Sequence, residues 1–537
     1  MNSDKKSIMK YFNYFNFLAP LVILLGVTSS GCEDYLADEL LSETSADYLY
    51  NTPGGLEDAV VGLYNLNRDL YLDNEWNYAR ALTLPAQSDL AFGRTGEIAL
   101  YAFRTWGRFA DDFGSRRYDR FWRHYYRVID RSNAVITAAE EVQWPAGEED
   151  RRTQVLAEAR MMRANSYFTL FRLFKNIYIT TEPTTPENAF DVPQMPNTEE
   201  EIFALINSDL EFAIENLPWT TPDFGRWTQA SARHVRAKTA AWHQDWPEVV
   251  TQTEAVINDP DYALVENTSL VFDGDLNHSE TLFALQIEPE AIGGGNANRI
   301  HFNLVPQYTR IDGMRFDTDF GGRGAGLLLA NDYLMNLVAE DPNDTRDDGT
   351  YYIRYYTYND PLTIPDSVQI GDTVRVHDQY DGQGQAFYLT LGPGVLKYRQ
   401  EDAVPEEANT FSNIMIYRLA ETYLLAAEAH MELGNTAAAL EYLNAVRNRA
   451  GAADLDMVDQ TVILEERARE LAFEGQRWFF LKRTGRLIEQ IRMYAGNDNW
   501  RNAARERIED HHINWSIPPD ELDLLGPNYP QNPGYDD

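Results

Sequence analysis

The sequence predicts a mainly α fold: a scaffold of stacked helix–turn–helix repeats that carries large loop-rich insertions and a few short strands. Three observations predict it. Apolar residues recur at helical spacing over long stretches before residue 260 and after residue 413. Between about 262 and 412 that period fades, glycine and proline rise, and short β-rich runs appear at 350–358 and 374–377. Apolar residues make up 44% and charged residues 24%, the balance of a folded globular chain, which excludes disorder and collagen. The 46 Lys and Arg against 84 Asp and Glu leave a net charge of −38, so the basic footprint that nucleic-acid phosphates require is missing.

The first residues read as an address. Lys5, Lys6 and Lys10 make a basic start, an aromatic and apolar stretch covers 12–27, and Ser29, Ser30 and Gly31 precede the single cysteine, Cys32. That order describes a secretory signal peptide over 1–31. The apolar run is short and interrupted by Asn13, Asn16 and Pro20, which argues against a membrane-spanning helix. Ser30-Gly31-Cys32 resembles a bacterial lipobox, in which the chain is cut before the cysteine and the thiol is acylated; Ser29 stands where the strict pattern has Leu. Cys32 is therefore the expected lipidation site, since two or three acyl chains give a stable anchor. Residues 32–50 read as a lipidated tether. Glu33 and Asp34 fit equally a solvated tether or the Bacteroidetes signal for display on the outer face of the outer membrane, which they resemble.

Residues 51–537 read as one domain: an N-terminal helical half at 51–260, a loop- and strand-rich insertion at 261–412 and a C-terminal part at 413–537. Thr52 and Pro53 open the first helix as N-cap and N1, and it runs to about Tyr71. Residues 74–115 read as irregular and aromatic. A helix over 116–141 carries Phe121, Trp122, Tyr125, Val128 and Ile129 at helical spacing, and another covers 149–174. Pro183, Pro186, Pro193 and Pro196 make the next stretch a loop. Thr198 with Glu201 forms a capping box for a helix to about Asn216, and helices over 229–242 and 247–258 follow. Helices return at Asn413. Ile416, Leu419, Ala420, Tyr423, Leu424 and Ala427 line one face, Gly434-Asn435 makes the turn, and Ala439, Leu443 and Val446 line the next helix. The run AEAHMELGNTAAALEYLNAV resembles a tetratricopeptide repeat, and the pairs 149–174/198–216 and 229–242/247–258 are weaker versions. Such units bury their apolar faces only by stacking on one another.

Catalytic patterns are missing from the sequence: there is no H-E-x-x-H, no G-x-S-x-G, no P-loop and no Cys/His zinc spacing. His511 and His512, adjacent on what reads as an extended segment, face opposite ways and offer no shared metal. EDPNDTRDDG at 340–349 lacks EF-hand spacing and reads as a structural loop, as does FGGRGAG at 320–326. Glu466, Arg467, Glu470, Glu474 and Arg477 fall at spacings of three and four beside Trp478 and Phe479. They read as a partly buried ion-pair network rather than an acid–base pair. No catalytic residue, metal ligand or cofactor is assigned. Binding chemistry is better represented, because aromatics make up 12% of the chain and sugar rings stack their C–H faces on aromatic faces. The aromatics expected to face a ligand lie in the irregular stretches: Trp76, Tyr78 and Trp106 in the first, Tyr308 and Phe316 in the second. Asp89, Arg310 and Asp312 are the expected hydrogen-bonding partners of its hydroxyls.

Six segments, in order, resemble the SusD/RagB family: CEDYLADEL at 32–40, VLAEARMMRANSYFTLFRLF at 155–174, the helix of 202–218, ILEERARELAFEGQRWFFLKRTGR at 463–486, IPPDEL at 517–522 and QNPGY at 531–535. Phe480 stands where that family commonly has Asp, and Lys175-Asn176 replaces its usual Gly-Asp. The resemblance implies a SusD-like fold and a lipid-anchored, surface-exposed outer-membrane protein. It also implies capture of nutrients, most often oligosaccharides, for a SusC-like TonB-dependent transporter, without enzymatic activity. Two alternatives stand beside it. A surface glycoside hydrolase would need two carboxylates roughly 5–9 Å apart in a cleft. The other is a repeat scaffold that binds only proteins.

Overall fold

The computed structural model of the chain describes residues 46–72, 80–93, 112–289, 297–347, 349–374, 390–399, 404–498 and 503–535. The chain divides into two units, Met1–Leu49 and Tyr50–Asp537, and the second carries the whole scaffold described below. Its N-terminal half is helical: α1 Pro53–Leu72, α2 Asp112–Glu141, α3 Glu149–Phe174, α4 Glu199–Asn216, α5 Gln229–Trp242 and α6 Trp246–Ile257. The starts are fixed by the residues that cap them. The Thr52 hydroxyl accepts from Gly55 N at 3.0 Å ahead of Pro53. At α4 the Thr198 hydroxyl accepts from Glu201 N at 3.2 Å while the Glu201 carboxylate accepts from Thr198 N at 2.9 Å, the reciprocal box expected there. Helix α3 is buried nearly all round, from Val155 to Phe174, so it is a central element rather than a surface one. It packs against α1, α2 and α4.

The C-terminal part adds α8 Leu419–Glu432, α9 Thr436–Arg449, α10 Gln460–Leu471, α11 Arg477–Arg483 and α12 Leu487–Tyr494, with α7 Asp332–Ala339 arising inside the insertion. Contacts run α3 on α4, α4 on α5, α5 on α6, α6 on α8 and α8 on α9, so the helical pairs stack in chain order across the insertion. The turn between α8 and α9 needs a left-handed residue. Gly434 supplies it at φ 78°, and Asn435 N closes on His430 O at 2.8 Å.

Three expectations are corrected. The helix expected from Asn413 begins only at Leu419, because Ile414–Arg418 is strand β6, paired antiparallel with β2 Thr281–Leu285. Two β-branched isoleucines in a buried five-residue run fit a covered strand better than a helix turn. Residues 80–93 are ordered, not irregular: a 3-10 turn, the one-turn helix Thr83–Ala86 and strand β1 Ala91–Gly93, which pairs with β3 Leu328–Ala330. His511 and His512 stand on the 3-10 turn Asp510–Ile513 with ring centroids 4.1 Å apart, not on opposite faces of an extended segment. The third two-stranded ladder joins β4 Tyr352–Ile353 to β5 Gly394–Val395. Among the described residues no helix is long and apolar enough to cross a membrane.

A buried ionic cluster locks the insertion to the C-terminal helices. Arg346 is 0% exposed. Its guanidinium donates to Asp344 at 2.7 Å, Glu466 at 2.6 Å and Glu470 at 3.0 Å. Glu470 also accepts from Arg418 at 2.6 Å, from Arg449 and from the Tyr351 hydroxyl at 3.1 Å. Glu280 holds Arg418 at 2.9 Å and Arg449 at 2.8 Å, and Lys397 reaches Glu474 at 2.7 Å. The helical spacing of 466–477 predicts a partly buried network; in the structure Glu466 and Glu470 are buried outright. Burial pushes both carboxyls up, but Arg346 beside Glu466, and Arg449 and Arg418 beside Glu470, outweigh it and hold both below the usual carboxylate range. They are fixed anions, unsuited to delivering a proton.

Candidate functional site

The insertion has its own apolar core, in which Val305, Tyr308, Ile311, Met314, Tyr356 and Tyr358 meet, with Phe316 and Phe320 packed against it. The sequence dictates this locally through glycine and an aspartate hub. A Cβ at Gly324 would stand 2.2 Å from Val305 O and 2.4 Å from Pro306 O, so only glycine admits the close approach of the two backbones. Asp317 caps the following turn, accepting from Asp319 N at 3.0 Å and from the Asn359 amide at 3.2 Å. Asn359 Oδ1 in turn accepts from Arg315 N at 2.8 Å, which fastens the 310–320 loop to the segment that follows Tyr358.

This geometry decides which expected ligand residues reach solvent. Tyr308 does not: it is 1% exposed, its hydroxyl donates to Gly322 O at 2.8 Å and accepts from Asp317 N at 2.9 Å, and burial raises its pKa. Its ring lies 5.5 Å from Tyr356, stacked, and 5.5 Å from Phe320, edge-on. It is the centre of the insertion core, a correction to its expected place on the ligand face. Phe316 is half-buried against it, centroids 6.4 Å apart. Arg310 and Asp312 are exposed on the same loop. Asp89 is also corrected. It is 0% exposed and held two-pronged by Arg477, Nε to Oδ1 at 2.9 Å and Nη2 to Oδ2 at 2.6 Å, so its carboxylate is spent on joining the turn before β1 to α11. Trp76, Tyr78, Trp106 and Cys32 lie outside the described residues.

The structure adds a residue that the sequence reading missed. Tyr355 is 57% exposed, with the Arg354 guanidinium 5.5 Å from its ring centroid and Arg354 itself paired with Asp347. Its neighbour Tyr356 points the other way, into the insertion core. The run YYIRYYTY carries no periodic sign of it, since Tyr351, Tyr352 and Ile353 are buried in succession. Tyr355 thus offers a rigid aromatic face backed by a cation and a carboxylate, the combination that suits a ring with hydroxyls on its edge. Three carboxylates of 340–349 are otherwise engaged: Asp341 accepts from Ala453 N at 2.7 Å, Asp344 holds Arg346 and Asp347 holds Arg354. Among the described residues, no group of three or more His, Cys, Asp or Glu side chains is placed to hold a metal ion.

Two family models cover most of this architecture. One, the SusD family, matches residues 275–535, and the other, described as starch-binding associating with outer membrane, matches residues 98–237. The chain belongs to the SusD family. A SusD-like protein of Bacteroides ovatus is 25% identical over 439 residues, spanning 77% of this chain and 74% of its own. SusD-like protein P25 of Formosa agariphila is 24% identical over 551 residues, spanning 92% and 94%. Solved SusD-like structures share the fold. A laminarin binding SusD-like protein superposes with a TM-score of 0.70 at 22% identity, covering 90% of this chain and 100% of that one. Surface glycan-binding protein A from Bacteroides thetaiotaomicron in complex with laminarihexaose superposes with a TM-score of 0.69 at 19% identity, covering 90% and 100%.

Proposed function

We propose that this SusD-family protein captures a glycan at the cell surface and passes it to a SusC-like TonB-dependent transporter in the outer membrane. We further propose that acyl chains on Cys32 hold it there after removal of residues 1–31. Its ligand face is the loop-rich side of the insertion: Tyr355 as stacking platform, Phe316 beside the loop, Arg310 and Asp312 for hydroxyls, and Trp76, Tyr78 and Trp106 from the first aromatic stretch. The observation that carries this reading is Tyr355, a large aromatic exposed beside charged partners, whereas Phe168, Trp227 and Trp478 are buried in or between the helices. The fold shared with proteins described as laminarin binding and as surface glycan-binding supports it.

Binding without cleavage is favoured over hydrolysis by the state of the buried carboxylates. Glu466 and Glu470 are locked as anions by arginines. Glu158 is raised by burial, as a general acid would be, but it is almost fully enclosed, accepting from the Tyr64 hydroxyl at 2.6 Å and from Arg226 at 3.2 Å. Affinity electrophoresis against laminarin, starch and other glycans, with analysis of the sugar afterwards, tests the reading. Retardation with intact glycan is expected. Shortened glycan would make the protein a hydrolase, and free migration on every glycan would leave the protein-binding scaffold in its place.

A further inference from the structure

Where α3, α5, α8, α10 and α11 converge, a cavity of about 30 Å3 is lined by Phe168, Arg172, Lys238, Glu421, Arg467 and Arg483 among others. Its charges do not balance. Arg172 lies between the rings of Phe168 and Phe479, 3.9 Å from each centroid, and its hydrogen bonds go to the Phe168 carbonyl and the Thr169 hydroxyl. Lys238 donates to both oxygens of Glu421 at 2.8 Å and to Gln476 at 2.6 Å. Arg467 Nη2 shares the same Glu421 at 2.9 Å, and His234 Nε2 lies 3.1 Å from it. Arg483 is paired with Glu428. Among the described residues, the carboxylates paired with this group of Arg172, Lys238, Arg467 and Arg483 are Glu421 and Glu428. Arg467 Nη1, on a side chain 5% exposed, is buried with no hydrogen-bond partner.

We propose that this cavity is a binding site for a small monovalent anion of the halide class, seated against Arg467 Nη1. An arginine cannot relieve buried excess charge by losing its proton, so compensation must come from elsewhere. A water molecule would satisfy the orphaned N–H but not the charge; a halide does both. The space is small and has room for an atom-sized occupant. Burial, with Arg172 and Arg467 close by, brings Lys238 down to about 7 against the opposing pull of Glu421. With an anion present Lys238 keeps its proton, and the ion ties the first helical half (α3 and α5) to the C-terminal helices (α8, α10 and α11).

The test uses crystals of the intact folded protein soaked in sodium bromide, with diffraction recorded at the bromine edge. A single anomalous peak in contact with Arg467 Nη1 is expected. In solution, the melting temperature should rise saturably with chloride when chloride replaces gluconate at constant ionic strength, and Arg467→Met should flatten that dependence. If Arg467→Met does not fold, the bromide map of the native protein decides alone. Density without an anomalous signal, meaning water only, or equal melting temperatures in chloride and gluconate, overturns the proposal.

Discussion

Glu470→Ala removes the carboxylate on which three buried guanidinium groups converge. Arg346 and Arg418 donate to it at 3.0 and 2.6 Å, Arg449 donates as well, and the Tyr351 hydroxyl adds a fourth bond at 3.1 Å. Deleting one partner of a buried pair costs about 3–5 kcal/mol, because the other charge is left in a dry interior. Asp344, Glu466, Glu280 and Glu474 still face the three arginines and absorb part of the excess, so the lower end of that range is the working figure. Even so, it is a large part of a total stability of roughly 5–15 kcal/mol. Glu465→Ala, five residues earlier on the same helix, is the control: its carboxylate is 32% exposed and 3.7 Å from Arg469, a pair worth about 0–1 kcal/mol. Urea unfolding followed by circular dichroism should show a sharply lower midpoint for Glu470→Ala and a nearly native one for Glu465→Ala. Equal midpoints would refute the idea that this cluster holds the insertion on the helices.

Tyr308→Phe strips the hydroxyl that joins Asp317 N to Gly322 O inside the insertion core, and should cost about 1–3 kcal/mol, read as a lower melting temperature; an unchanged value would return Tyr308 to the ligand face. Glu466 and Glu470 have depressed folded-state pKa values, so their contribution is complete above the ordinary Glu value and is lost as pH falls through the folded value. The urea midpoint should therefore drop steeply below about pH 4, and less steeply in Glu470→Ala. Cys32→Ala should leave the membrane fraction; its persistence there after a carbonate wash would place the anchor elsewhere.

The helices were legible wherever a 3.6-residue period ran for several turns with a cap in front. The spans 149–174 and 229–242 agree with the structure to the residue, and the Thr198–Glu201 box closes as its spacing requires. Strand β6 was not legible, because four apolar residues ahead of a helix fit either period. What decides it is β2, an element remote in sequence. Asp89 fails for a similar reason. A carboxylate in an aromatic stretch carries no mark of an arginine 388 residues away, and that partner alone makes it structural. The fate of Tyr308 turned on Gly322 and Asp317 folding back over its hydroxyl, a loop geometry with no periodic signature. Tyr355 was not legible either: in YYIRYYTY, Tyr351, Tyr352 and Ile353 are buried one after another, so no two-residue alternation marks Tyr355 as outward.

Glycan binding on the insertion face is tested most directly by isothermal titration of one retained glycan into the native protein, Tyr355→Ala and Leu433→Ala. The last truncates a leucine exposed at the end of α8, on the repeat scaffold. Loss of a stacking ring should cost on the order of 1–3 kcal/mol, roughly five-fold to more than a hundred-fold in Kd. Tyr355→Ala should show that loss at an unchanged melting temperature, while Leu433→Ala binds as the native protein does. Native affinity in Tyr355→Ala, with weakened binding in Leu433→Ala, would move the site to the repeats and contradict the account.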